Sequence, residues 1–239
     1  MILKIVYVSR AYFLNLLGAN IAIMELSATF FENIVSLDER LLLAVNGAWT
    51  PFLDAIMRPL SAISIWFPMY LLLAVACFFK RLYAVQCGGY AIRKPIADSK
   101  FWIAGVAAVA VCVLGYLLCD WGCNLVKELV ARPRPGYNPA TAGGRFPTGT
   151  GSPYGFFSAH AANTICYALL VSGILGRHWL RIALVVWALL VSYSRIYLGY
   201  HFPGDVLVGI IYGICVAILL TLLYRFAIDK IAEKYPSAQ

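Results

Sequence analysis

Two polar stretches of this chain carry side chains that could bind an anion and transfer a proton. One lies at residues 127–160 and the other at residues 194–205. Arginine grips phosphate oxygens with a planar fork, lysine adds a point charge, and histidine changes its charge near neutral pH. An aspartate beside a histidine fixes the tautomer and strengthens the other ring nitrogen as a nucleophile or base. The residues concerned are Lys127, Arg134, His160, Arg195, His201 and Asp205.

Two predicted helix starts would place an anion among these side chains. Ser158 precedes an apolar run and suits an N-cap, so the amides of Ala159 and His160 would point outward at the positive end of the helix dipole. Pro203 suits the first position of the next helix, which puts Asp205 in its first turn. The local pattern therefore predicts a phosphate site.

Composition places these stretches in a membrane protein. The chain has 239 residues, 62% of them hydrophobic and 13% charged, against roughly 45–50% and about 25% in an average soluble domain. Such an apolar excess excludes a disordered chain and argues against a soluble enzyme. The net charge is +8, but the cations lie between apolar blocks, which favours membrane topology and anion binding over nucleic-acid binding.

Five apolar stretches predict an all-α, polytopic membrane bundle, because crossing a bilayer takes about 20 apolar residues. The stretch at 161–175 is short, and an arginine lies near each end of the stretch at 179–197. The five stretches are 61–79, 101–119, 161–175, 179–197 and 206–224.

The N-terminal residues leave several alternatives open. Residues 11–24 are apolar but short, so they could be a sixth span, a cleaved signal peptide or an extension upstream of a true start at Met24. Residues 36–47 predict an interfacial amphipathic helix that ends at Gly47.

These patterns predict three segments along the chain. Residues 1–35 form an uncertain N-terminal segment, residues 36–230 a membrane-embedded domain, and residues 231–239 a cytoplasmic tail.

Lysine and arginine in short loops indicate the cytoplasmic side. Residues 80–100, 176–181 and 225–234 carry several of them and lie on one side if the five spans alternate. The connections 120–158 and 195–205 then share the opposite face. The expected location is the bacterial inner membrane, with the site facing the periplasm.

Other ionisable residues and the cysteines receive structural interpretations. Arg132, Arg145 and Glu128 are predicted to contact headgroups or to lie in a solvated loop, while His178 falls on the cytoplasmic side. Most of the seven cysteines lie in apolar runs, so packing is a better interpretation than metal binding, even for the pair one helical turn apart, Cys119 and Cys123.

The order and spacing of the site residues resemble the three-part signature of the type 2 phosphatidic acid phosphatase family, which also includes vanadium haloperoxidases and class A acid phosphatases. The span layout adds resemblance to its bacterial membrane branch. The family usually has Pro-Ser-Gly-His in the middle motif, so Phe157 and Ala159 depart from it. The signature reads Lys127-x6-Arg134-Pro135, then Phe157-Ser158-Ala159-His160, then Ser194-Arg195-x5-His201-x3-Asp205.

The resemblance implies a role for each matched residue. His201 would attack phosphorus and form a phosphohistidine, Asp205 would orient His201, and His160 would protonate the leaving oxygen and then activate water. No metal or cofactor is implied. The phosphoryl oxygens would be held by Lys127, Arg134, Ser158, the Ala159 amide and Arg195.

The sequence thus predicts a membrane lipid phosphatase that hydrolyses a phosphomonoester or terminal pyrophosphate, with lipid A phosphate and undecaprenyl diphosphate as leading substrates. Its expected partners are that lipid and the membrane, with no nucleic acid and no obligate protein partner. One alternative is a phosphatidylglycerophosphate or phosphatidic acid phosphatase. Another is a lipid or anion transporter, in which the cations bind without turnover.

Overall fold

The chain divides into two compact units, Met1–Leu41 and Leu42–Gln239, and all the site residues lie in the second. The alternatives for residues 11–24, a span, a signal peptide or an upstream extension, stay predictions, because the side chains of residues 1–23 lie outside the described part. A computed structural model describes the backbone of residues 2–80, 86–87, 90–91, 100–147 and 152–236, and the side chains within residues 24–80, 100–147 and 152–236.

The described chain is almost entirely helical, which confirms the all-α prediction. Two short strands, β1 (Gln86–Cys87) and β2 (Tyr90–Ala91), pair antiparallel. Two single 3₁₀ turns, Pro135–Tyr137 and Pro139–Thr141, follow the fourth helix. The α-helices are α1 (Ile2–Gly47), α2 (Pro51–Ser61), α3 (Ile63–Phe79), α4 (Phe101–Val130), α5 (Ala159–Leu175), α6 (His178–Tyr197) and α7 (Pro203–Lys234).

The five predicted spans fall on α3 to α7. Helices α4, α6 and α7 are long and apolar enough to cross a membrane, and α2 with α3 forms a fourth candidate that bends by 48° at its break. Helix α5 is apolar but has only 17 residues. More than half of its side chains are buried by neighbouring helices, so it behaves as the core of the bundle rather than as a lipid-facing element.

The N-terminal helix differs from the prediction in its length. Residues 36–47 form the last turns of α1 rather than a separate helix. No glycine or proline occurs between residues 19 and 46, so nothing in the local sequence breaks the helix. The predicted end at Gly47 is confirmed.

Helix α5 packs closely against α7 because α7 presents glycines to it. A Cβ at Gly209 would lie 2.5 Å from the carbonyl oxygen of Ser158, and one at Gly213 would meet the carbonyl oxygen of Ala162. Small residues four apart let two helix backbones approach in this way. Gly209 thereby determines how near α7 lies to the start of α5.

Adding a methyl group at Gly209 tests this contact. We expect Gly209→Ala to lower the free energy of unfolding by about 1–3 kcal/mol, because the Cβ must displace backbone rather than a flexible side chain. Thermal unfolding in detergent measures the loss. Gly173→Ala is the matched control, since a Cβ there has no atom within 4 Å in the described part. It should be neutral or slightly stabilising. Equal unfolding temperatures for the two variants would contradict the close packing.

Candidate active site

The connection between α4 and α5 folds back on itself and holds its two arginine-proline pairs next to residue 155. The Arg134 amide donates to the Pro153 carbonyl oxygen at 2.8 Å, and the Gly155 amide donates to that of Arg132 at 2.9 Å. Each arginine precedes a proline, which favours the extended backbone that this pairing needs. The pairing presents both guanidinium groups and the Gly155 carbonyl to the same region.

The start of α5 has the predicted cap. Ser158 is fully buried and its Oγ accepts a hydrogen bond from the Ala161 amide. The first amides of a helix have no acceptor within the helix, and the dipole makes that end positive. The Ser158 amide also donates to the Asp205 carbonyl oxygen at 2.9 Å, which ties the start of α5 to the start of α7.

The start of α7 also follows the sequence prediction. Pro203 occupies the first turn, and the Oδ2 of Asp205 accepts from the Phe202 amide at 3.1 Å. Asp205 is fully buried, and its Oδ1 accepts from Arg132 Nη1 at 2.7 Å. The Arg132 guanidinium stacks on the Phe202 ring at 4.1 Å. The carboxylate is therefore buried with a cation beside it, which offsets the cost of removing it from water.

His201 is held by a carbonyl rather than directly by the carboxylate. Its Nδ1 lies 3.0 Å from the Gly155 oxygen and 3.7 Å from Asp205 Oδ2. A carbonyl only accepts, so Nδ1 carries the proton and Nε2 keeps its lone pair. Burial lowers the pKa of His201 to about 4, although the nearby Asp205 carboxylate raises it. The imidazole is accordingly neutral at neutral pH.

A cavity of about 660 Å³ brings the two predicted polar stretches together. Residues from α4, the α4–α5 connection, α5, α6 and the α6–α7 connection meet at its polar end. Ser158 and Asp205 do not line it but support the residues that do. The predicted site residues that line it are Lys127, Arg134, Ala159, His160, Arg195 and His201.

The polar end of the cavity concentrates positive charge. Lys127 and Arg195 are only 7% and 8% exposed, although charged side chains are rarely so buried without partners. Lys127 Nζ donates to Asn124 Oδ1 at 3.3 Å, and Arg134 Nε donates to the Ser152 oxygen at 2.8 Å. These contacts hold Lys127 and Arg134 in place without neutralising their charges, since neither Asn124 nor the Ser152 carbonyl is charged.

Arg195 shows most directly that an anion belongs here. Its Nη1 donates to Ser61 Oγ, and its guanidinium stacks on the Tyr200 ring at 3.8 Å. Its buried Nε has no hydrogen-bond partner within residues 24–80, 100–147 and 152–236. Leaving a buried donor unsatisfied costs about 1–3 kcal/mol, more for a charged group. A phosphate oxygen in the cavity would remove that cost.

The rest of the cavity is apolar and aromatic. Tyr70 packs edge-on against Tyr167 with centroids 4.8 Å apart, and Trp66 packs against Trp187 at 5.5 Å. Three of these four rings line the cavity, together with aliphatic side chains of α3 and α4. The arrangement can hold hydrocarbon beside a bound anion.

Residues 102–229 match the PAP2 superfamily. The chain belongs to the PAP2 superfamily. The match covers more than half of the chain and contains all of the site residues, so the resemblance seen in the signature is confirmed.

Individual relatives place the chain in the bacterial membrane phosphatase branch of the PAP2 superfamily. The chain is 32% identical over 190 residues to the lipid A 4′-phosphatase of Bacteroides thetaiotaomicron, covering 76% of this chain and 74% of that protein. It is 30% identical over 206 residues to that of Porphyromonas gingivalis, covering 82% and 76%. Its fold resembles the crystal structure of a PAP2-type phosphatidylglycerolphosphate phosphatase from Bacillus subtilis, with a TM-score of 0.57, 25% identity and coverage of 83% and 88%.

These relationships establish the general activity. The chain is an integral membrane lipid phosphatase of the PAP2 superfamily, a phosphoric monoester hydrolase. Membership in a phosphatase family favours catalysis over the alternative of a non-catalytic transporter.

The departures from the usual PAP2 middle motif are compatible with the fold. Phe157 is buried, with its ring centroid 5.1 Å from that of Tyr212 on α7. It therefore adds to the contact between α5 and α7. Ala159 lines the cavity, where its backbone amide remains at the helix start.

Sequence reasoning misjudged two arginines. Arg132 and Arg145 were predicted to contact headgroups or lie in a solvated loop, but Arg132 pairs with buried Asp205 and Arg145 pairs with Asp54 at 2.6 Å. Both partners lie more than 70 residues away in the sequence, so no local pattern reveals them. The only available signal is that Arg132 precedes a proline, just as Arg134 does.

Removing the guanidinium of Arg132 tests its pairing. We expect Arg132→Gln to lower the free energy of unfolding by about 2–3 kcal/mol, because the fully buried Asp205 carboxylate loses its nearest cation. Chemical or thermal unfolding in detergent measures this change.

Arg177→Gln provides the control for charge removal. Arg177 is exposed at the start of α6 and does not line the cavity. Its loss should change stability by no more than about 0.5 kcal/mol. Similar effects for both variants would show that the Arg132–Asp205 pair contributes nothing specific.

Proposed function

We propose that this phosphatase removes a phosphate monoester from a lipid A-type glycolipid by double displacement through a phosphohistidine at His201. The observation that carries the proposal is the cavity itself. An unprotonated His201 nitrogen, His160 and three cations share its polar end, and its other end is apolar. The two relatives that are lipid A 4′-phosphatases support lipid A over undecaprenyl diphosphate as the substrate.

In the first step, His201 Nε2 attacks phosphorus while the bond from phosphorus to the lipid oxygen breaks. With the anionic phosphate bound beside it, His160 takes up a proton and donates it to that oxygen, so the lipid leaves as an alcohol and the phosphoryl group stays on His201. Charge on the transferring group's oxygens is stabilised by Lys127, Arg134 and Arg195, which are preorganised before substrate binds.

In the second step, water attacks the phosphohistidine. His160, now unprotonated, takes a proton from the water, and the bond between nitrogen and phosphorus breaks. Inorganic phosphate leaves, and both histidines return to their starting states. The Gly155 carbonyl keeps the His201 ring oriented throughout, while Asp205 stabilises the positive charge that develops on it.

Replacing each of the three histidines tests these roles. We expect His201→Ala and His160→Ala each to reduce phosphate release at least about a thousandfold, because one removes the nucleophile and the other the proton carrier. His178→Ala is the control, since His178 is exposed at the start of α6 and does not line the cavity. Radiolabelled substrate should leave acid-labile phosphate on the wild type and none on His201→Ala.

The same assay compares possible lipids. Lipid A, undecaprenyl diphosphate, phosphatidylglycerophosphate and phosphatidic acid would be presented in the same detergent, with vanadate as an inhibitor that mimics five-coordinate phosphorus. Highest kcat/KM on lipid A supports the proposal. A higher value on another lipid would overturn the choice of substrate, and turnover by His201→Ala would overturn the phosphohistidine.

We also propose that the protein lies in the bacterial inner membrane with this site on the periplasmic face. The support is the distribution of lysine and arginine between the two ends of the bundle. Residues 176–181, which carry Arg177 and Arg181, lie at the opposite end of α5 from the site, because α5 begins at the site and ends just before them.

Labelling of single cysteines tests this orientation. In a cysteine-free background, Ala140→Cys and His178→Cys each place a thiol at an exposed position, one beside the site and one at the start of α6. An impermeant maleimide added to spheroplasts should label only Ala140→Cys. Labelling of His178→Cys alone would reverse the proposed orientation.

A further inference from the structure

A second cavity, of about 530 Å³, lies beside the catalytic one, and the two share Ser61 and Arg195. Its walls come from the end of α1, α2, the α4–α5 connection, the end of α6 and the α6–α7 connection. Most of its lining is polar, whereas the lining of the first cavity is mostly hydrocarbon. The side chains and backbone that form it include Asn46, Arg58, Arg145, Arg195, Tyr197 and Tyr200.

The walls of the second cavity are held by hydrogen bonds between distant parts of the chain. Asn46 Nδ2 donates to the carbonyl oxygens of Arg145 and Tyr197, and the Arg145 amide donates back to Asn46 Oδ1 at 2.7 Å. Asp54 accepts from Arg145 Nη2 at 2.6 Å and from the Tyr197 hydroxyl at 2.9 Å. The cavity is thus a built feature of the fold and not a gap between mobile side chains.

The charge in this cavity is positive. Arg58, Arg145 and Arg195 line it, and Asp54 is the carboxylate that pairs with the first two, at 3.3 and 2.6 Å. One carboxylate leaves an excess of positive charge among three guanidinium groups. Arg195 lines both cavities, and its guanidinium includes the buried Nε that lacks a partner within the described side chains.

We propose that the second cavity is a phosphate-binding subsite, distinct from the position where phosphorus is attacked. Guanidinium groups match the geometry of phosphate oxygens, and Arg195 would contact the reacting phosphate on one side and the second phosphate on the other. The proposal rests on the proposed function. Two sources share this chemistry: a second phosphate on the same lipid, or the inorganic phosphate released by the reaction.

Arg58 is the residue through which to test the subsite. Its side chain is 67% exposed, so removing it leaves no buried vacancy, and Asp54 keeps its contacts with Arg145 and Tyr197. Arg58→Gln removes one cation, and Arg58→Glu reverses it. Arg177→Gln is the matched control, because it removes an exposed arginine that lines neither cavity.

Purified protein in detergent would be assayed on lipid A with both phosphates, on lipid A with only the phosphate to be removed, and with inorganic phosphate as a product inhibitor. If the lipid supplies the second phosphate, Arg58→Gln should raise KM for the bisphosphorylated lipid roughly five- to tenfold, the size of one ordinary hydrogen-bonded contact at a largely exposed side chain. KM for the monophosphorylated lipid and kcat for both should change less than about twofold. Arg58→Glu should enlarge the difference.

If released phosphate is the ligand, the inhibition constant of inorganic phosphate should rise by a similar factor while the two lipids keep their KM ratio. Either outcome, with Arg177→Gln unchanged, supports the subsite. Unchanged KM ratio and unchanged phosphate inhibition in both Arg58 variants would overturn it. Failure of the proposed function gives a different result, since the wild type would then release no phosphate from either lipid A.

Discussion

The site depends on the join between the starts of α5 and α7. One backbone hydrogen bond, from the Ser158 amide to the Asp205 carbonyl oxygen, links them, and Gly209 lets the backbones approach closely enough for it to form. His160 follows the first helix start and His201 precedes the second. Both histidines therefore reach one cavity only while this join is intact. The rest of the bundle serves to keep these two ends together.

Burial decides how the charges of the site behave. Asp205 is fully buried behind His201, and its ion pair with Arg132 offsets the cost of removing it from water. Burial lowers the pKa of His201 to about 4 and keeps the ring neutral, as the proposed nucleophile requires. The cations in front of it have neutral partners or, at Arg195 Nε, no partner among the described residues. Negative charge is thus satisfied inside the protein, and positive charge is left for the substrate.

The two cavities differ in the chemistry of their walls, and together they suit an amphiphile. Aromatic rings of α3 and α5 line the first, beside the polar end where phosphorus would lie. The second is polar and cationic and meets the first at Arg195. A substrate with hydrocarbon on one side of the reacting phosphate and polar groups on the other would be oriented by both surfaces at once, because each accepts only one kind of chemistry.

Local sequence determined the helices of this protein and most of the charged residues and histidines that line its candidate site. The apolar runs, the Ser158 cap and Pro203 with Asp205 are short-range patterns, and the structure shows the helices and caps that they predict. Tertiary structure alone decided the partners of the buried groups. The Gly155 carbonyl oxygen, rather than Asp205, accepts the hydrogen bond from His201 Nδ1, and Arg132 and Arg145 each pair with an acid more than 70 residues away. Such contacts depend on how helices pack, and packing brings together residues whose separation along the chain carries no periodic signal.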